Sequence, residues 1–325
     1  MKRTALSLFV LCIAVCVRAG ISESGFWYDG SLCYTAKATQ NGSVLMNAMA
    51  EGEELEFLLV PEVGSEETYK VTDGPHDCLN LFQNVSVVKH CQDSGWDVLC
   101  FYDAGNHLVC VMSKETQWDS QVLNVAKWKN QIMGVYCSAK DELPLRINWD
   151  NIVIDTDSTE LVASYKVETF NGLVTRHITI APIEGATNRL EGTWEIVPTL
   201  DGIVLRSVSF DGESGWWKHE GTDIAVSYAN EESDRFAYTA TTLLNDRQFR
   251  GMSLYALRIM RNSIYARHGY SFSSPDLQEY FAGKPWYKPA ASNDEVHLSF
   301  IEKLNAELIA AEEANPDHFD FMPEE

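Results

Sequence analysis

The sequence predicts an α+β protein in which two antiparallel β modules, of sandwich or barrel type, precede a small helical C-terminal domain. Two patterns support this fold class. Between residues 20 and 243, short runs of β-forming residues alternate with turn dipeptides such as Asn41-Gly42 and Asn171-Gly172, which are strong signals for hairpin loops. From residue 244 onward, apolar residues recur at helical spacing instead. One large β module is the alternative for the first part of the chain.

The boundary between the two β modules is predicted at residue 145, so that they span 20–145 and 146–243. Asn41-Gly42 joins the predicted first hairpin, and Asn171-Gly172 and Asp201-Gly202 join the hairpins of the second module. The second module contains no cysteine. The predicted strands are residues 37–40, 43–46, 55–60, 78–88, 163–170, 173–180, 194–198, 203–210, 223–228 and 236–242.

The N-terminus has the pattern of a signal peptide over residues 1–19. A basic start, Met1-Lys2-Arg3, is followed by an apolar run over residues 5–17 and by Val17-Arg18-Ala19, which suits signal peptidase. The apolar run is shorter than the roughly 20 residues that a membrane-spanning helix needs. We therefore predict an exported protein, periplasmic, cell-surface or secreted, with no transmembrane segment in the mature chain. An N-terminal buried helix is the alternative.

The chain is strongly acidic, with a formal net charge of −22. This charge disfavours non-specific binding to nucleic acid, which needs a basic surface, and it disfavours binding to anionic lipid. We therefore predict no nucleic-acid partner. The apolar share of 45% and the aromatic share of 11% are high enough for packed cores. Residues 312–325 are predicted to form a short acidic tail.

The cysteines of the predicted mature chain all lie in the first β module. Export would place them in an oxidising compartment, where disulfides form. Six cysteines allow 15 connectivities, and a hairpin with a three-residue loop at 104–106 favours one pair, Cys100 with Cys110, at directly opposed positions. No C-x2-C pair is present, so we predict no zinc or other metal site. The six are Cys33, Cys78, Cys91, Cys100, Cys110 and Cys137.

Three helical segments are predicted in the C-terminal domain, residues 244–311. The first covers residues 253–268 and ends at Gly269, a residue that favours helix termination. A short helix starts at Ser274-Pro275-Asp276, and the last is predicted to start at the capping-box sequence Ser292-Asn293-Asp294-Glu295.

Within the first of these helices, Tyr265-Ala266-Arg267-His268-Gly269 spells the motif that names the YARHG domain family of bacterial exported proteins. The segment resembles this family over a wider range, which implies a small, mainly helical, extracytoplasmic module beside varied partner domains. The resemblance implies no reaction. The other residues that carry it are Leu257-Arg258, Met260-Arg261-Asn262, Tyr270, Phe272, Leu277, Tyr280-Phe281, Trp286-Tyr287, Glu302 and Asn305.

A polar stripe runs along this helix. At 100° per residue, the side chains of Arg258, Arg261, Tyr265 and His268 fall within about 80° of one another, and apolar residues border them on both sides. In a structural interpretation, carboxylates such as those of Asp276, Glu279 or Glu302 satisfy the charges. In a functional interpretation, the stripe lines a cleft that binds an anionic group, with Trp286 and Tyr287 as stacking surfaces. The structural interpretation is favoured.

The sequence contains no G-x-S-x-G, H-E-x-x-H or glycine-rich phosphate loop. Ser263 and His268 point to different sides of their helix, so they form no local catalytic pair. We predict no catalytic residue and no cofactor, and interpret the chain as a non-catalytic extracytoplasmic binding or envelope-associated protein. Its partner would be a cell-wall glycan or another envelope protein. A hydrolase acting on glycans or the cell wall through acidic residues is the alternative, and a purely structural exported protein is a third.

Overall fold

The computed structural model describes residues 21, 25–29, 32–50, 53–65, 67–73, 84–115, 120–137, 144–155, 160–170, 173–186, 188–229, 234–249, 251–316 and 318. The predicted signal peptide, Cys78, the turn Asn171-Gly172 and most of the predicted acidic tail lie outside these residues. Among the helices of the described ranges, none has the length and hydropathy needed to cross a membrane.

The first β module is a closed eight-stranded antiparallel barrel. Each strand pairs with the next along the chain, and β1 pairs with β8 to close the sheet. Alternate side chains point inward and form a core that includes Trp27, Tyr34, Met46, Phe57 and Phe101. The strands are β1 (Phe26–Tyr28), β2 (Cys33–Ala38), β3 (Val44–Ala50), β4 (Glu53–Pro61), β5 (Thr68–Asp73), β6 (Val87–Asp93), β7 (Trp96–Tyr102) and β8 (Leu108–Glu115).

The predicted turn at Asn41-Gly42 joins β2 to β3. The Thr39 amide donates to the Ser43 carbonyl at 2.8 Å, and the Gly42 amide donates to the Thr39 carbonyl at 3.1 Å. Gly42 has a φ of 83°, a left-handed conformation that glycine adopts without steric cost. The hairpin signal is confirmed.

The second β module is also a closed eight-stranded antiparallel barrel, which confirms the predicted fold class. Its strands follow chain order, and β9 closes the sheet by pairing with β10 and β16. The core includes Trp194, Ile196, Leu205 and Ile224. The strands are β9 (Gly134–Cys137), β10 (Leu145–Ile147), β11 (Asn151–Asp155), β12 (Glu160–Phe170), β13 (Leu173–Ile180), β14 (Gly192–Pro198), β15 (Gly202–Asp211) and β16 (Trp216–Tyr228).

A helix that the sequence analysis missed, α1 (Ser120–Ile132), separates the barrels. Trp128 and Ile132 pack into the core of the second barrel, and Lys127 donates to the carbonyl of Leu243 at 3.2 Å. The apolar stripe of α1 has only three residues. A stripe this short is a weak signal for a helix, and the neighbouring segments have the pattern of hairpins. Because β9 belongs to the second barrel, we propose that the boundary between the β modules lies at α1 rather than at residue 145.

The predicted position of Cys110 directly opposite Cys100 is wrong. Cys100 lies opposite Val111, and Cys110 lies opposite Phe101, because Val109 is an extra residue that shifts the register after the Tyr102–Leu108 pair. A one-residue shift puts two side chains on opposite faces of a sheet. Cys100 accordingly packs outside the barrel and Cys110 against its inner core.

The C-terminal region is helical, as predicted. The Ser253 side chain caps α3 by accepting from the Ala256 amide, and Gly269 ends the helix with a φ of 80°. A Cβ atom on Gly269 would lie 2.9 Å from the Lys288 carbonyl oxygen, so this position requires glycine. The helices are α2 (Asp246–Phe249), α3 (Leu254–Arg267), α4 (Pro275–Ala282) and α5 (Phe300–Glu313), with 3-10 turns at Ala237–Ala240 and Asn293–Glu295.

Two boundary predictions in this region are wrong. The segment predicted as a strand over 236–242 contains the 3-10 turn Ala237–Ala240 instead. A hydrogen bond from the Phe236 amide to Asp234 Oδ1, at 2.9 Å, stabilises the start of this turn. Ser292 caps only a 3-10 turn. The last helix, α5, starts further along the chain, where Ser299 and Glu302 form the capping box. Two similar cap sequences lie close together, and only the second precedes a sustained apolar stripe.

The helical region packs directly on the outer face of the first barrel. Val98, Cys100, Leu108 and Val111 from the barrel belong to the same buried core as α3 and α5. This shared core fixes the position of α5 against β8. It therefore also fixes the cleft between the first barrel and the helices, which is described below.

Candidate functional site

Arg267 of the predicted motif connects α3 to two other segments. Its guanidinium contacts the Asp234 carboxylate, donates to the Phe236 carbonyl at 3.1 Å and to Thr239 Oγ1 at 2.7 Å, and lies 3.5 Å from Glu302. The Arg267 and Asp234 side chains are only 16% and 7% exposed. Burial raises the pKa of Asp234, although the charge of Arg267 opposes the shift. Arg267 therefore holds the segment 234–240 against α3.

Glu302 is the buried acceptor for the next motif residue, His268. Nε2 of His268 lies 2.9 Å from both carboxylate oxygens. The same carboxylate accepts from the Ser299 amide at 3.0 Å and so completes the capping box of α5. Burial raises the pKa of Glu302, but hydrogen bonds from His268 and Ser299 outweigh burial and leave the pKa below its ordinary value. One carboxylate thus joins α3 to α5.

The two arginines of the stripe, Arg258 and Arg261, also have partners within the domain. Arg261 binds Glu313 through two nitrogens, at 2.6 and 2.9 Å, and this hydrogen bond raises the pKa of Arg261. Arg258 binds Asp276, with side chains 36% and 39% exposed. Of the three carboxylates that the sequence suggested, Asp276 and Glu302 contact the stripe, and Glu313 is an additional one.

The aromatic residues of the predicted binding face pack among themselves. The Tyr287 hydroxyl donates to the Tyr270 carbonyl at 2.8 Å, and the rings of Trp286 and Tyr287 lie 5.9 and 5.6 Å from that of Phe281. Tyr265 packs edge-on against Tyr270 at 5.8 Å. The polar and aromatic motif residues therefore interact mainly with the rest of their own domain, which supports the structural interpretation.

Asn305 satisfies three backbone groups of the preceding loop. Its Oδ1 accepts from the Leu244 amide at 2.9 Å, and its Nδ2 donates to the carbonyls of Thr239 and Thr242 at 2.7 and 2.8 Å. The residue is fully buried. Asn305 is one of the residues that carry the family resemblance. Its structural role could not be predicted from the sequence, because its partners lie more than 60 residues away.

These contacts define a helical domain whose motif residues tie together α3, α5 and the segment before α2. A family model described as YARHG domain matches residues 234–314. This region, about a quarter of the chain, is therefore a YARHG domain, as the motif predicted. The match starts ten residues before the predicted boundary and includes Asp234, the partner of Arg267. Comparison with curated proteins and with solved structures gives no match.

A cleft of about 940 Å³ lies between the first barrel and the YARHG domain. Lys89, Tyr102 and His107 line it from the barrel, and Phe249, Glu307 and Leu308 line it from the helices. Lys89 Nζ lies 4.4 Å from the ring centroid of Tyr102 and 3.3 Å from Asn106 Oδ1. Sequence reasoning missed this cleft because its two sides are more than 100 residues apart and no local motif marks either.

A smaller cleft, of about 250 Å³, lies between the second barrel and α4. Arg235 lines it but donates to carbonyls of the β14–β15 turn, including that of Gly202 at 2.5 Å. Trp286 lines this cleft as well. None of the predicted binding residues, Arg258, Arg261, Tyr265, His268, Trp286 and Tyr287, is among the described residues that line the larger cleft.

The low pKa of Glu302 predicts that acid destabilises the YARHG domain. A group whose pKa is lower in the folded state contributes stability above its unfolded pKa, and this contribution is lost as the pH falls through the folded value. We expect unfolding free energy to fall below about pH 4.5, the ordinary pKa of the side chain. The pKa of Asp234 is raised in the folded protein. Protonation of Asp234 at low pH therefore favours the folded state, which is opposite to the effect at Glu302.

The measurement compares the wild type with Glu302→Gln by amide hydrogen exchange of α3 and α5 between about pH 3 and pH 7. Glu302→Gln should make protection in these helices less dependent on pH. An identical pH dependence in both proteins would contradict the assignment of acid lability to Glu302.

Proposed function

We propose that this protein is an exported, non-catalytic binding protein of the bacterial cell envelope, and that the cleft between the first barrel and the YARHG domain holds its ligand. The N-terminal sequence pattern and the YARHG domain support export. The cleft carries the binding part of the proposal, because ligand sites of 300–1,000 Å³ occur preferentially at domain interfaces.

The lining of the cleft supports a ligand with both apolar surface and hydrogen-bonding groups. This lining includes the ring of Tyr102, the exposed side chain of Val109, the amide of Asn106 and the polar groups of Lys89 and Glu307. Sugars are bound by such combinations of ring faces, amides and charged groups. We therefore propose a cell-wall glycan as the ligand.

The motif face is a weaker candidate for the ligand site. The polar groups of Arg261, Arg267 and His268 are already bonded to Glu313, Asp234 and Glu302. A ligand that displaced these contacts would leave carboxylates unpaired, two of them buried, at a cost of several kcal/mol.

Replacement of Lys89 by alanine is expected to weaken binding to purified peptidoglycan by about tenfold or more, since a hydrogen bond from a charged group contributes about 1.5–3 kcal/mol. Lys37→Ala, an exposed lysine on β2 of the same barrel, is the matched control and should bind as the wild type does. Co-sedimentation of the mature chain with peptidoglycan provides the measurement.

Three outcomes would contradict the proposal. Equal retention of the two variants would place the glycan outside the cleft. Failure of the wild type to sediment would reject the glycan, and a pull-down from envelope extract would then test for a protein ligand. Release of soluble sugar fragments would instead support a hydrolase.

A further inference from the structure

Cys91 and Cys100 lie side by side on the outer face of the first barrel. In the β6–β7 register, Cys91 is opposite Val98 and Cys100 is opposite Lys89. The two cysteines therefore occupy diagonal positions and, because residues two apart share a face, they point to the same side of the sheet. The two thiols are close enough to influence each other, since each is the largest single influence on the pKa of the other.

The face that carries this pair is the one on which the YARHG domain docks. Cys100 and Val98 are fully buried in the core that the barrel shares with α3 and α5, and Cys91 packs at its edge, half-buried. Cys110 is not equivalent, because it packs against the inner core of the barrel. Cys91 is therefore the member of the pair that a reagent in solution can reach first.

We propose that Cys91 and Cys100 form a disulfide bond, and that Cys91 is the sulfur through which this bond is made. The proposal rests on the export part of the proposed function and not on the ligand cleft. Its geometric basis is the diagonal position of the two residues on one face of paired strands, their packing in one cluster and the difference in their burial. The oxidant is a disulfide, either a small molecule or an oxidoreductase, of the kind present in an oxidising extracytoplasmic compartment.

The reaction has two balanced steps. The Cys91 thiolate attacks one sulfur of the oxidant, the oxidant's S–S bond breaks, and one oxidant thiolate leaves and takes up a proton. Cys100 then gives up its proton, and its sulfur attacks the sulfur of Cys91 and releases the second oxidant thiol. Two electrons pass from the cysteine pair to the oxidant, and both protons end on the released thiols.

The charges around the pair favour this order of events. The hydrogen bond with Cys100 lowers the pKa of Cys91 to about 7, while burial and Glu67 oppose the shift and Lys89 assists it. The same hydrogen bond, burial and the nearby Glu307 raise the pKa of Cys100. At neutral pH, Cys91 therefore has the larger thiolate fraction of the two, and Cys100 is the thiol that resolves the mixed disulfide.

The test uses the full mature chain, reduced and then equilibrated with a mixture of oxidised and reduced glutathione. Free thiols are blocked with an alkylating reagent, and the protein is cleaved on the N-terminal side of aspartate. A second protease cleaves after Lys89. Together with the cleavages at Asp93, Asp97 and Asp103, this places Cys78, Cys91, Cys100 and Cys110 on separate peptides. Mass spectrometry under non-reducing conditions should find the Cys91 and Cys100 peptides linked as the main product.

A second measurement on the reduced native protein tests the assigned order. Iodoacetamide near neutral pH should label Cys91 at least about tenfold faster than Cys100, because the thiolate is the reactive form. Cys110→Ser, which removes the cysteine of the inner face, should leave the linked product unchanged. Thiols at both positions after equilibration would overturn the proposal, as would Cys91 linked mainly to Cys78 or another cysteine. Faster labelling of Cys100 would overturn the assigned order.

Discussion

Replacement of Arg267 by alanine is expected to lower the unfolding free energy of the YARHG domain by about 3–5 kcal/mol. The substitution leaves the nearly buried Asp234 carboxylate without its cation, and it removes the hydrogen bonds to Phe236 and Thr239. A buried carboxylate that loses its partner keeps its desolvation cost, and for this reason breaking such a pair has a large effect.

Arg258→Ala is the matched control, since it removes an arginine from the same helix whose pair with Asp276 is more than one-third exposed. Exposed ion pairs contribute about 0–1 kcal/mol, so this variant should be nearly as stable as the wild type. Amide hydrogen exchange of α3 in the full chain reports the local stability. Equal stability of the two variants would contradict the structural role of Arg267.

Replacement of Asn305 by alanine is expected to lower the unfolding free energy by about 2–4 kcal/mol, because it leaves up to three buried backbone groups without a partner. These groups are the amide of Leu244 and the carbonyls of Thr239 and Thr242. The loop before α2 should lose amide protection first, since Asn305 is its connection to α5.

Lys303→Ala, an exposed position on the same helix, serves as the control and should change stability by no more than about 0.5 kcal/mol. Denaturant unfolding of both variants, with hydrogen exchange at residues 239–244, makes the comparison. Retention of full protection at Leu244 in Asn305→Ala would show that the hydrogen bond to Asn305 does not hold this loop.

The parts of the fold that the sequence predicted correctly depend on local patterns. Asn41-Gly42 and Asp201-Gly202 specify hairpin turns within a few residues, and β2–β3 and β14–β15 follow from them. Gly269 ends α3 because the chain there needs a left-handed conformation. Such features depend on the neighbouring residues, so a single sequence contains them.

The predicted register of Cys100 against Cys110 is wrong because of one residue. Val109 forms a bulge that shifts the register of β7 against β8, and nothing in its own sequence neighbourhood distinguishes it from the other residues of a regular strand. The proximity of Cys91 and Cys100 could not be predicted from the local sequence either, because it depends on the pairing of β6 with β7.

The contacts of the YARHG motif were predicted in part, whereas the cleft was not predicted at all. Helical periodicity identified the stripe of Arg258, Arg261 and His268 and its need for carboxylates. It did not identify Arg267 as the best-connected arginine, because its partner Asp234 lies 33 residues upstream and before the predicted domain boundary. Contacts at that separation in sequence are set by the packing of the whole domain.

The central claim is that the YARHG motif acts by holding its own domain together, and a double-mutant cycle on Arg267 and Asp234 tests it most directly. Unfolding free energies would be measured for the wild type, Arg267→Ala, Asp234→Ala and the double variant. If the pair is structural, the double variant should be more stable than Arg267→Ala, because it no longer contains an unpaired buried carboxylate. Losses that simply add, or an Arg267→Ala protein as stable as the wild type, would contradict the claim.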